Sequence, residues 1–303
     1  MDWLTKDWTT GQLNAVLKAL GEETARKLAA GELTVRVVGQ ELVVEERVKL
    51  LFDRNGRRIP PQGLQSKVCD AHRNFHLTQP TIDYAHRLYR IKEHLQAGPM
   101  IFAAEFEDRC EKLLARIRMD ERSSGILQGT CLPICIPQTT ATDYGAALDE
   151  VFLPAVARSY QEQFPKRSFN NLRKGALKGQ VTVVPGGRHE KLVEAMQQNV
   201  VFGLYFPNPL QGFSVLASRE QMETLPEQFL LSGGYDVAVA MIAYPDVLAG
   251  DYNTPGLDMA ALQWQEPACS LYFGAYDGRL CLDCRGFLGF ASGGYSGGLF
   301  VLG

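Results

Sequence analysis

The amino-acid sequence predicts an α+β protein with a helical N-terminal region at residues 1–124 and a mixed α/β domain at residues 125–303. Apolar residues recur every three or four positions through much of the first 120 residues, a spacing typical of amphipathic helices. After residue 179, short apolar segments alternate with helical patterns and with long polar connections. The last 35 residues contain no Lys, Glu or Gln and are rich in Tyr, Phe, Gly and Ser. We therefore expect the second domain to contain a short-stranded antiparallel sheet with long loops.

The composition indicates a globular chain of 303 residues with one large or two medium domains. Hydrophobic residues make up 46% and charged residues 21%, which supplies enough apolar side chain for a core without disulfides. The net charge of −3 disfavours nucleic acid or an anionic membrane as the main partner. No apolar run approaches 18 residues, so no membrane insertion is expected.

The N-terminal sequence Met1-Asp2-Trp3-Leu4 lacks the basic and then apolar pattern of a signal peptide, which predicts a cytoplasmic protein. A place in a phage particle, or export without a leader, is compatible with the same observation. The seven cysteines are odd in number and lack the spacing of a disulfide framework, so reduced thiols are expected.

Four N-terminal segments have the apolar spacing of helices; they lie at residues 13–20, 22–30, 82–96 and 102–119. Residues 33–48 alternate loosely around Gly39, which predicts a strand pair. The polar, turn-rich residues 120–125 that follow the fourth helix are the predicted domain boundary.

The second domain opens with an apolar segment at residues 131–137 whose prolines predict a strand at a sheet edge. Helices are expected at residues 144–163, where Pro154 kinks or divides the helix, at 188–198, and from the capping box that begins at Ser218. Residues 235–244 fit a helix or a strand equally well. Short strands are expected at residues 181–184, 200–206 (ended by Pro207), 262–264, 270–273 and 299–302.

Apolar and polar residues alternate with a period of two in the C-terminal tail, as in a strand with one buried face. We expect four scaffold residues to point inward: Trp264, Phe273, Leu282 and Leu299. The residues expected to point outward and contact a ligand are aromatic, small or polar. They are Tyr272, Gly274, Tyr276, Gly278, Cys281, Asp283, Cys284, Gly286, Phe290, Gly294 and Tyr295. Tyrosine, glycine and serine are enriched on recognition surfaces because they combine stiff aromatic contacts with adaptable polar ones.

The same residue types are among those reached when the adenines of Asn-type codons are varied. Together with the closing Ser296-Gly297-Gly298-Leu299, this composition resembles the variable region of diversity-generating retroelement target proteins. The resemblance covers roughly residues 181–303. It implies a C-type-lectin-like fold, of the branch shared with formylglycine-generating enzymes, with its core at residues 179–303 and a variable segment at residues 269–298. It further implies that a hypervariable face recognises a protein or other macromolecule in a bacterial or phage setting, without catalysis.

Two other functions are compatible with the sequence. A formylglycine-generating-like enzyme would hold copper and oxidise a thiol with a cysteine pair, Cys269 or Cys281 together with Cys284. An undiversified structural or interaction protein would need no variable segment.

Three short motifs are weak candidates for metal sites. The Cys281-x-x-Cys284 motif lacks both a second zinc half-site of matching spacing and the strand–helix context of a redox dithiol. His72 and His76 have a helical spacing but no HExxH motif. Glu266-Pro267-Ala268 lacks the side-chain oxygen that a calcium-dependent lectin needs at its third position. We therefore expect no metal and no cofactor.

Overall fold

The computed structural model describes residues 9–38, 41–46, 48–70, 75, 77–96, 101–250, 254–265 and 268–303. His72, His76 and the pair Glu266-Pro267 lie outside these ranges. The chain divides into two compact units, Met1–Lys49 and Leu50–Gly303.

The first unit contains the secondary structure that its sequence predicts. Its helices are Thr10–Leu20 (α1) and Glu22–Ala29 (α2). The expected strand pair consists of Leu33–Val38 (β1) and Glu41–Glu46 (β2), which pair antiparallel.

The second unit combines helices with a mixed sheet, which confirms the α+β fold class. Its helices are Tyr84–Leu95 (α3), Ala103–Met119 (α4), Tyr144–Ala147 (α5), Leu153–Gln163 (α6), His189–Gln198 (α7), Val215–Glu220 (α8), Gly234–Ala243 (α9) and Pro245–Leu248 (α10). Its strands are Leu132–Ile136 (β3), Ser168–Asn171 (β4), Val181–Val183 (β5), Val201–Gln211 (β6), Phe229–Leu231 (β7), Gly256–Asp258 (β8), Leu262–Trp264 (β9), Cys269–Tyr276 (β10), Arg279–Gly286 (β11) and Tyr295–Leu302 (β12).

Eight strands in the described part of the chain form one sheet in the order β3-β6-β12-β8-β10-β11-β4, with β7 also paired to β12. The β12–β8 and β11–β4 pairs are parallel, and the other pairs are antiparallel. The last strand of the sequence therefore lies inside the sheet, and its residues Leu299, Phe300 and Val301 are buried.

Helix α9 lies in the core, and all of its residues are buried. This assigns residues 235–244, whose sequence is apolar except for Asp236 and has no period by which a helix and a strand could be told apart. The backbone N–H groups of Gly234 and Tyr235, at the start of the helix, donate to the hydroxyl of Tyr144 at 2.9 and 3.2 Å. A tyrosine hydroxyl thus takes the place of water at a helix end that has no access to solvent.

Two buried arginines from α3 satisfy the other end of α9. Arg87 donates to the carbonyl oxygen of Ala243 at 2.9 Å, and Arg90 donates to that of Ile242 at 3.3 Å. Cations at this position also complement the helix dipole. Residues on both sides of the predicted boundary at 120–125 thus pack into one unit, and the chain divides at Lys49 instead.

Strand β6 does not end before Pro207, and this prediction is wrong. The strand continues through Pro207 and Pro209 to Gln211. Both prolines follow Tyr205, the last residue of β6 that pairs with β3. They also lie opposite the interruption in the β12 register between Gly297 and Leu299. A proline is tolerated here because its missing N–H falls where the ladder of hydrogen bonds is already interrupted.

The helix predicted to start at Ser218 starts earlier. Ser214 is the N-cap of α8, and its hydroxyl accepts a hydrogen bond from the N–H of Ala217 at 3.1 Å. Ser218 is a buried residue inside that helix. The helix predicted at residues 144–163 is divided by a π-helical turn at Leu148–Phe152, and Pro154 lies at the start of α6, where a missing N–H costs little.

The proline-containing strand β3 lies at the edge of the sheet, as predicted. The side-chain amide of Gln79 donates to the carbonyl oxygen of Cys131 at 3.0 Å and accepts from its N–H at 2.7 Å. The hydroxyl of Tyr244 donates to the carbonyl oxygen of Pro133 at 2.8 Å. Side chains therefore bind backbone groups of this edge in the way that a further strand would.

Candidate recognition face

Strands β10 and β11 pair antiparallel along their full lengths, but exposure does not alternate strictly: the expected outward residues Gly274 and Cys281 are buried. Tyr272 lies opposite Asp283, and Phe273 lies opposite Leu282. Because successive side chains of a strand point to opposite faces, these two pairs lie on opposite sides of the sheet. All four predicted scaffold residues are buried: Trp264, Phe273, Leu282 and Leu299. We name the other side, with the partly exposed Tyr272, Tyr276, Asp283 and Tyr295, the recognition face.

Three tyrosines form an aromatic strip on the recognition face. The rings of Tyr272 and Tyr295 meet edge to face, with their centroids 5.1 Å apart. A Cβ atom on Gly274 would lie 3.1 Å from the ring of Tyr272 and 3.2 Å from that of Tyr276. A Cβ atom on Gly256 would lie 2.6 Å from the ring of Tyr295. The glycines thus leave room for the rings to rest against the backbone, which restricts their motion.

The hydroxyls of Tyr272 and Tyr276 are neutral at physiological pH. Burial and the neighbouring Tyr295 raise the pKa of Tyr272. A hydrogen bond with Cys281, followed by burial, raises the pKa of Tyr276 to about 12. These two residues therefore offer hydroxyl donors and acceptors without negative charge.

Each exposed arginine beside the strip is paired with an aspartate. Nη2 of Arg173 lies 2.6 Å from Oδ1 of Asp283. Nη2 of Arg279 lies 3.6 Å from Oδ2 of Asp277. The recognition face therefore carries polar groups of both signs and little net charge.

A buried ion pair lies beneath the strip. Nε of Arg285 donates to Oδ1 of Asp258 at 2.8 Å, and Nη2 donates to Oδ2 at 2.6 Å. The guanidinium carbon lies 4.5 Å from the centroid of the Tyr295 ring. Burial is the largest single effect and lowers the pKa of Arg285, but the hydrogen bonds to Asp258, the charge of Asp258 and the neighbouring Tyr295 and Tyr272 together leave the pKa raised. The arginine thus remains charged and holds β8, β11 and the Tyr295 ring in one arrangement.

The loop after β11 carries two exposed phenylalanines next to this pair. The side chains of Phe287 and Phe290 are 81% and 61% exposed. Phe287 has a φ of 63°, a left-handed conformation that is uncommon for a bulky residue. Arg285 donates to the carbonyl oxygen of Phe290 at 3.1 Å, and Gln211 donates to that of Gly293 at 2.8 Å. The loop therefore presents large apolar side chains from a backbone that is tied to the sheet.

The two cysteines of the Cys281-x-x-Cys284 motif lie on opposite faces of β11. Cys281 lies opposite Gly274 on the recognition face, where it is only 2% exposed. Cys284 lies opposite Leu271 and packs against the core. Residues three apart in a strand point to opposite sides, so the motif cannot hold one ion between its two thiols without breaking the strand. Of the two predicted contact residues, Cys284 is therefore placed away from the recognition face.

The predicted contact glycines are in four different settings. Gly274 is buried beneath the tyrosine rings, and Gly286 lies at the end of β11 on the same side as Cys284. Gly278 has a φ of 67° in the turn between β10 and β11, a conformation that glycine adopts without strain. Gly294 lies in the loop, where its carbonyl oxygen accepts from the N–H of Gly256 at 2.8 Å.

Sequence reasoning misses four residues that build this site: Arg173, Gly256, Asp258 and Arg285. Arg173 reaches Asp283 because β4 pairs with β11, and Asp258 reaches Arg285 through the pairing of β8 with β10. These partners are separated by 110 and 27 residues in the chain, so no local pattern indicates them. An arginine within an apolar alternating strand, as Arg285 is, was the available indication of a buried ion pair.

Comparison of the chain with protein families, curated proteins and solved structures finds no match in any of the three. In the described part of the chain, no group of three or more His, Cys, Asp or Glu side chains is arranged to hold a metal ion. None of the described helices is long and apolar enough to cross a membrane. The function is therefore inferred from the chemistry of the site.

Proposed function

We propose that the recognition face binds a partner protein and that the protein itself is a non-catalytic, diversified ligand-binding protein. The observation that carries this proposal is the separation of the two sides of β10 and β11. Tyrosine and aspartate side chains are partly exposed on one side, while Phe273 and Leu282 are sealed in the core on the other. Side chains on the exposed side can change without removing core contacts, because surface substitutions usually alter stability by less than about 0.5 kcal/mol.

The chemistry of the face favours a protein over a polyanion as the partner. Tyrosine and phenylalanine side chains supply the aromatic contacts that dominate binding energy at protein interfaces. Arg173 and Arg279 already have carboxylate partners, so neither offers the uncompensated charge that nucleic acid or an anionic membrane requires. We expect the affinity for the partner to depend only weakly on salt concentration.

Diversification and a C-type-lectin-like fold for residues 179–303 are part of the same proposal. They are supported by the composition of the tail and by its position on a strand pair that a buried scaffold holds in place. The genomic test is direct. We expect a reverse transcriptase gene nearby and a near-copy of the 3′ end that differs only at adenines. If neither is present, diversification is refuted and an undiversified interaction protein takes its place.

Binding itself is tested by photo-crosslinking in the native host. A photoreactive phenylalanine analogue replaces Phe290, in the loop next to the recognition face, or, as the matched control, Tyr89 on α3, which is also more than half exposed. We expect a discrete crosslinked protein from position 290 only. Equal products from both positions, or none from position 290, would contradict the proposed face.

One observation favours a second function, a copper-dependent thiol oxidase. Cys269 and Cys284 lie on the same side of the β10–β11 pair at diagonally neighbouring positions, since Cys269 pairs with Gly286 and Cys284 with Leu271. Thiolates are the ligands that Cu(I) prefers. The test is Cu(I) titration against a chromogenic competitor. Tight stoichiometric binding that is lost in Cys269→Ser and Cys284→Ser, but kept in Cys281→Ser, would favour the oxidase over the binding protein.

A further inference from the structure

Three buried polar atoms in the centre of the second unit have no hydrogen-bond partner among the described residues. They are the hydroxyl oxygens of Tyr205 and Ser232 and the Oδ2 atom of Asp236. All three side chains are fully buried. Buried polar groups in native proteins are almost always hydrogen-bonded, so three such atoms close together need a common explanation.

Two of the three atoms lie beside Gly298 of β12, opposite a bulge in β6. Gly298 lies where the register of β12 against β6 is interrupted, between Gly297 and Leu299. A Cβ atom on Gly298 would lie 3.0 Å from the Ser232 Oγ atom and 3.0 Å from the Tyr205 hydroxyl oxygen. Both hydroxyls therefore border the space that this glycine leaves open.

Asp236 lies near both hydroxyls. Its charge raises the pKa of Tyr205, after the larger effect of burial. Burial raises the pKa of Asp236 itself, and the nearby Ser232 side chain lowers it in part, although neither the Ser232 hydroxyl nor Oδ2 has a partner at normal hydrogen-bonding geometry. The other carboxylate oxygen, Oδ1, accepts from the N–H of Gly233 at 2.9 Å, which leaves Oδ2 without a partner.

The nearby histidine does not supply the missing partner. Nε2 of His189 lies 3.0 Å from the Tyr144 hydroxyl, and Nδ1 lies 3.1 Å from the carbonyl oxygen of Leu231. Because that hydroxyl already accepts from two N–H groups of α9, it donates its proton to Nε2, and Nδ1–H donates to Leu231. Both ring nitrogens are thus occupied.

We propose that Tyr205, Ser232 and Asp236 bind one buried water molecule beside Gly298. A buried water typically makes about three hydrogen bonds to otherwise unsatisfied groups, and this site offers three. The hydroxyls of Tyr205 and Ser232 can each donate or accept a hydrogen bond. A neutral water molecule can therefore bind them in more than one orientation. A hard metal ion would require more oxygen ligands than these three side chains provide.

This water gives a physical reason for Gly298 of the closing motif. It connects the bulge of β6, the segment before α9 and β12, the strand that begins at Tyr295. A side chain at position 298 would occupy the space of the water and would also collide with the Tyr205 ring, whose Cε2 atom lies 2.7 Å from the ideal Cβ position. The inference does not depend on the proposed binding function.

A crystal structure of the full chain tests the site directly. We expect a single density peak between about 2.6 and 3.2 Å from all three oxygen atoms. Direct hydrogen bonds among the three side chains, without a peak, would overturn the proposal. An anomalous signal at the peak in crystals grown with thallium(I) in place of sodium and potassium would also overturn it, because a cation would then occupy the site.

A solution measurement gives a second test with a matched control. Tyr205→Phe and Ser232→Ala are each expected to lower the urea midpoint of unfolding. The double variant is expected to lower the urea midpoint by clearly less than the sum of the two single shifts. Either single change already weakens the binding of the shared water. Tyr244→Phe is the control, since its hydroxyl bonds directly to Pro133. The midpoint shifts of Tyr244→Phe and Ser232→Ala should add in the double variant. If the shifts of Tyr205→Phe and Ser232→Ala also add, the two residues do not share a water molecule.

Discussion

Arg285 and Asp258 form a two-point ion pair that is buried beneath the ring of Tyr295, with N–O distances of 2.8 and 2.6 Å. The pair lies between the core and the recognition face and joins β11 to β8, a strand that it does not pair with directly. Loss of this ion pair should therefore also disturb the arrangement of the aromatic strip.

We expect Asp258→Asn to lower the free energy of unfolding by about 3 kcal/mol, since it leaves a buried guanidinium without its carboxylate. The measurement is urea unfolding followed by circular dichroism. Asp277→Asn is the control, because it removes a carboxylate from the exposed pair with Arg279 and should cost less than about 1 kcal/mol. Equal losses in the two variants would mean that the buried pair does not organise this region.

Gly256→Ala should displace the Tyr295 ring, because the new methyl group would lie within 2.6 Å of it. Overpacking of this kind costs about 1–3 kcal/mol, and we expect a loss of stability in that range together with a changed tyrosine signal in near-UV circular dichroism. Gly286→Ala is the matched control, since no atom lies within 4 Å of its ideal Cβ position. An unchanged spectrum for Gly256→Ala would show that the rings are not held by the glycine.

The substitutions Phe290→Ala and Phe273→Ala test whether exposed residues can change without loss of stability while buried scaffold residues cannot. Phe290 is largely exposed, so its removal should change the free energy of unfolding by less than about 0.5 kcal/mol. Phe273 is sealed in the core, and its removal should cost about 3–5 kcal/mol. A large loss of stability for Phe290→Ala would make that residue part of the scaffold and remove it from the variable face.

His189 should make the protein less stable in acid. Burial lowers its pKa in the folded state, whereas the unfolded chain has a histidine pKa of about 6.5. As the pH falls below about 6.5, the unfolded state binds a proton that the folded state does not, so this contribution is complete above that pH and is lost below it. The measurement is the free energy of unfolding between pH 8 and pH 5.

His189→Gln should reduce the slope of that pH dependence, while His86→Gln, at an exposed position on α3, should leave it unchanged. Nitrogen-15 NMR provides an independent check. We expect the Nδ1–H tautomer of His189 to persist across this pH range, and a titration of its ring near pH 6.5 would contradict the buried arrangement with Tyr144.

A fragment of residues 50–303 should fold with a cooperative transition close to that of the full chain, because the compact unit begins at Leu50. A fragment of residues 125–303 should not, since it lacks α3, whose Arg87 and Arg90 bind the carbonyl end of the buried helix α9. Thermal unfolding of the two purified fragments distinguishes the outcomes. Cooperative unfolding of the shorter fragment would restore the domain boundary expected from the sequence.

The sequence predicts those elements whose cause is local. The apolar spacing of α3 and α4, the proline-containing edge strand β3 and the alternation in β10 and β11 can all be identified within a short window. Helix α9 could not be assigned because a helix buried on every side has no polar face to reveal its period. Strand β6 was predicted too short because the tolerance of Pro207 depends on the irregular pairing of β6 with β12, a strand far away in the sequence.

On the recognition face, too, the features with a local cause were predicted and those that depend on distant residues were not. Tyr272, Asp283 and the buried Phe273 follow from the period of two within one strand. Cys284 was placed on the wrong side of the strand because a list of recognition-type residues ignored that period. Arg173, Gly256 and Asp258 depend on pairings between distant strands, which a single sequence does not specify.

Gln79 covers backbone groups at one edge of the sheet. An open strand edge would allow copies of the chain to pair and stack, and a surface that gains an adhesive residue would increase that risk. At β3 the amide of Gln79 occupies the hydrogen-bonding positions of Cys131, and Pro133 has no N–H to offer a neighbour. If the recognition face varies as we propose, this protected edge of the sheet limits pairing between copies through β3 whatever side chains the face carries.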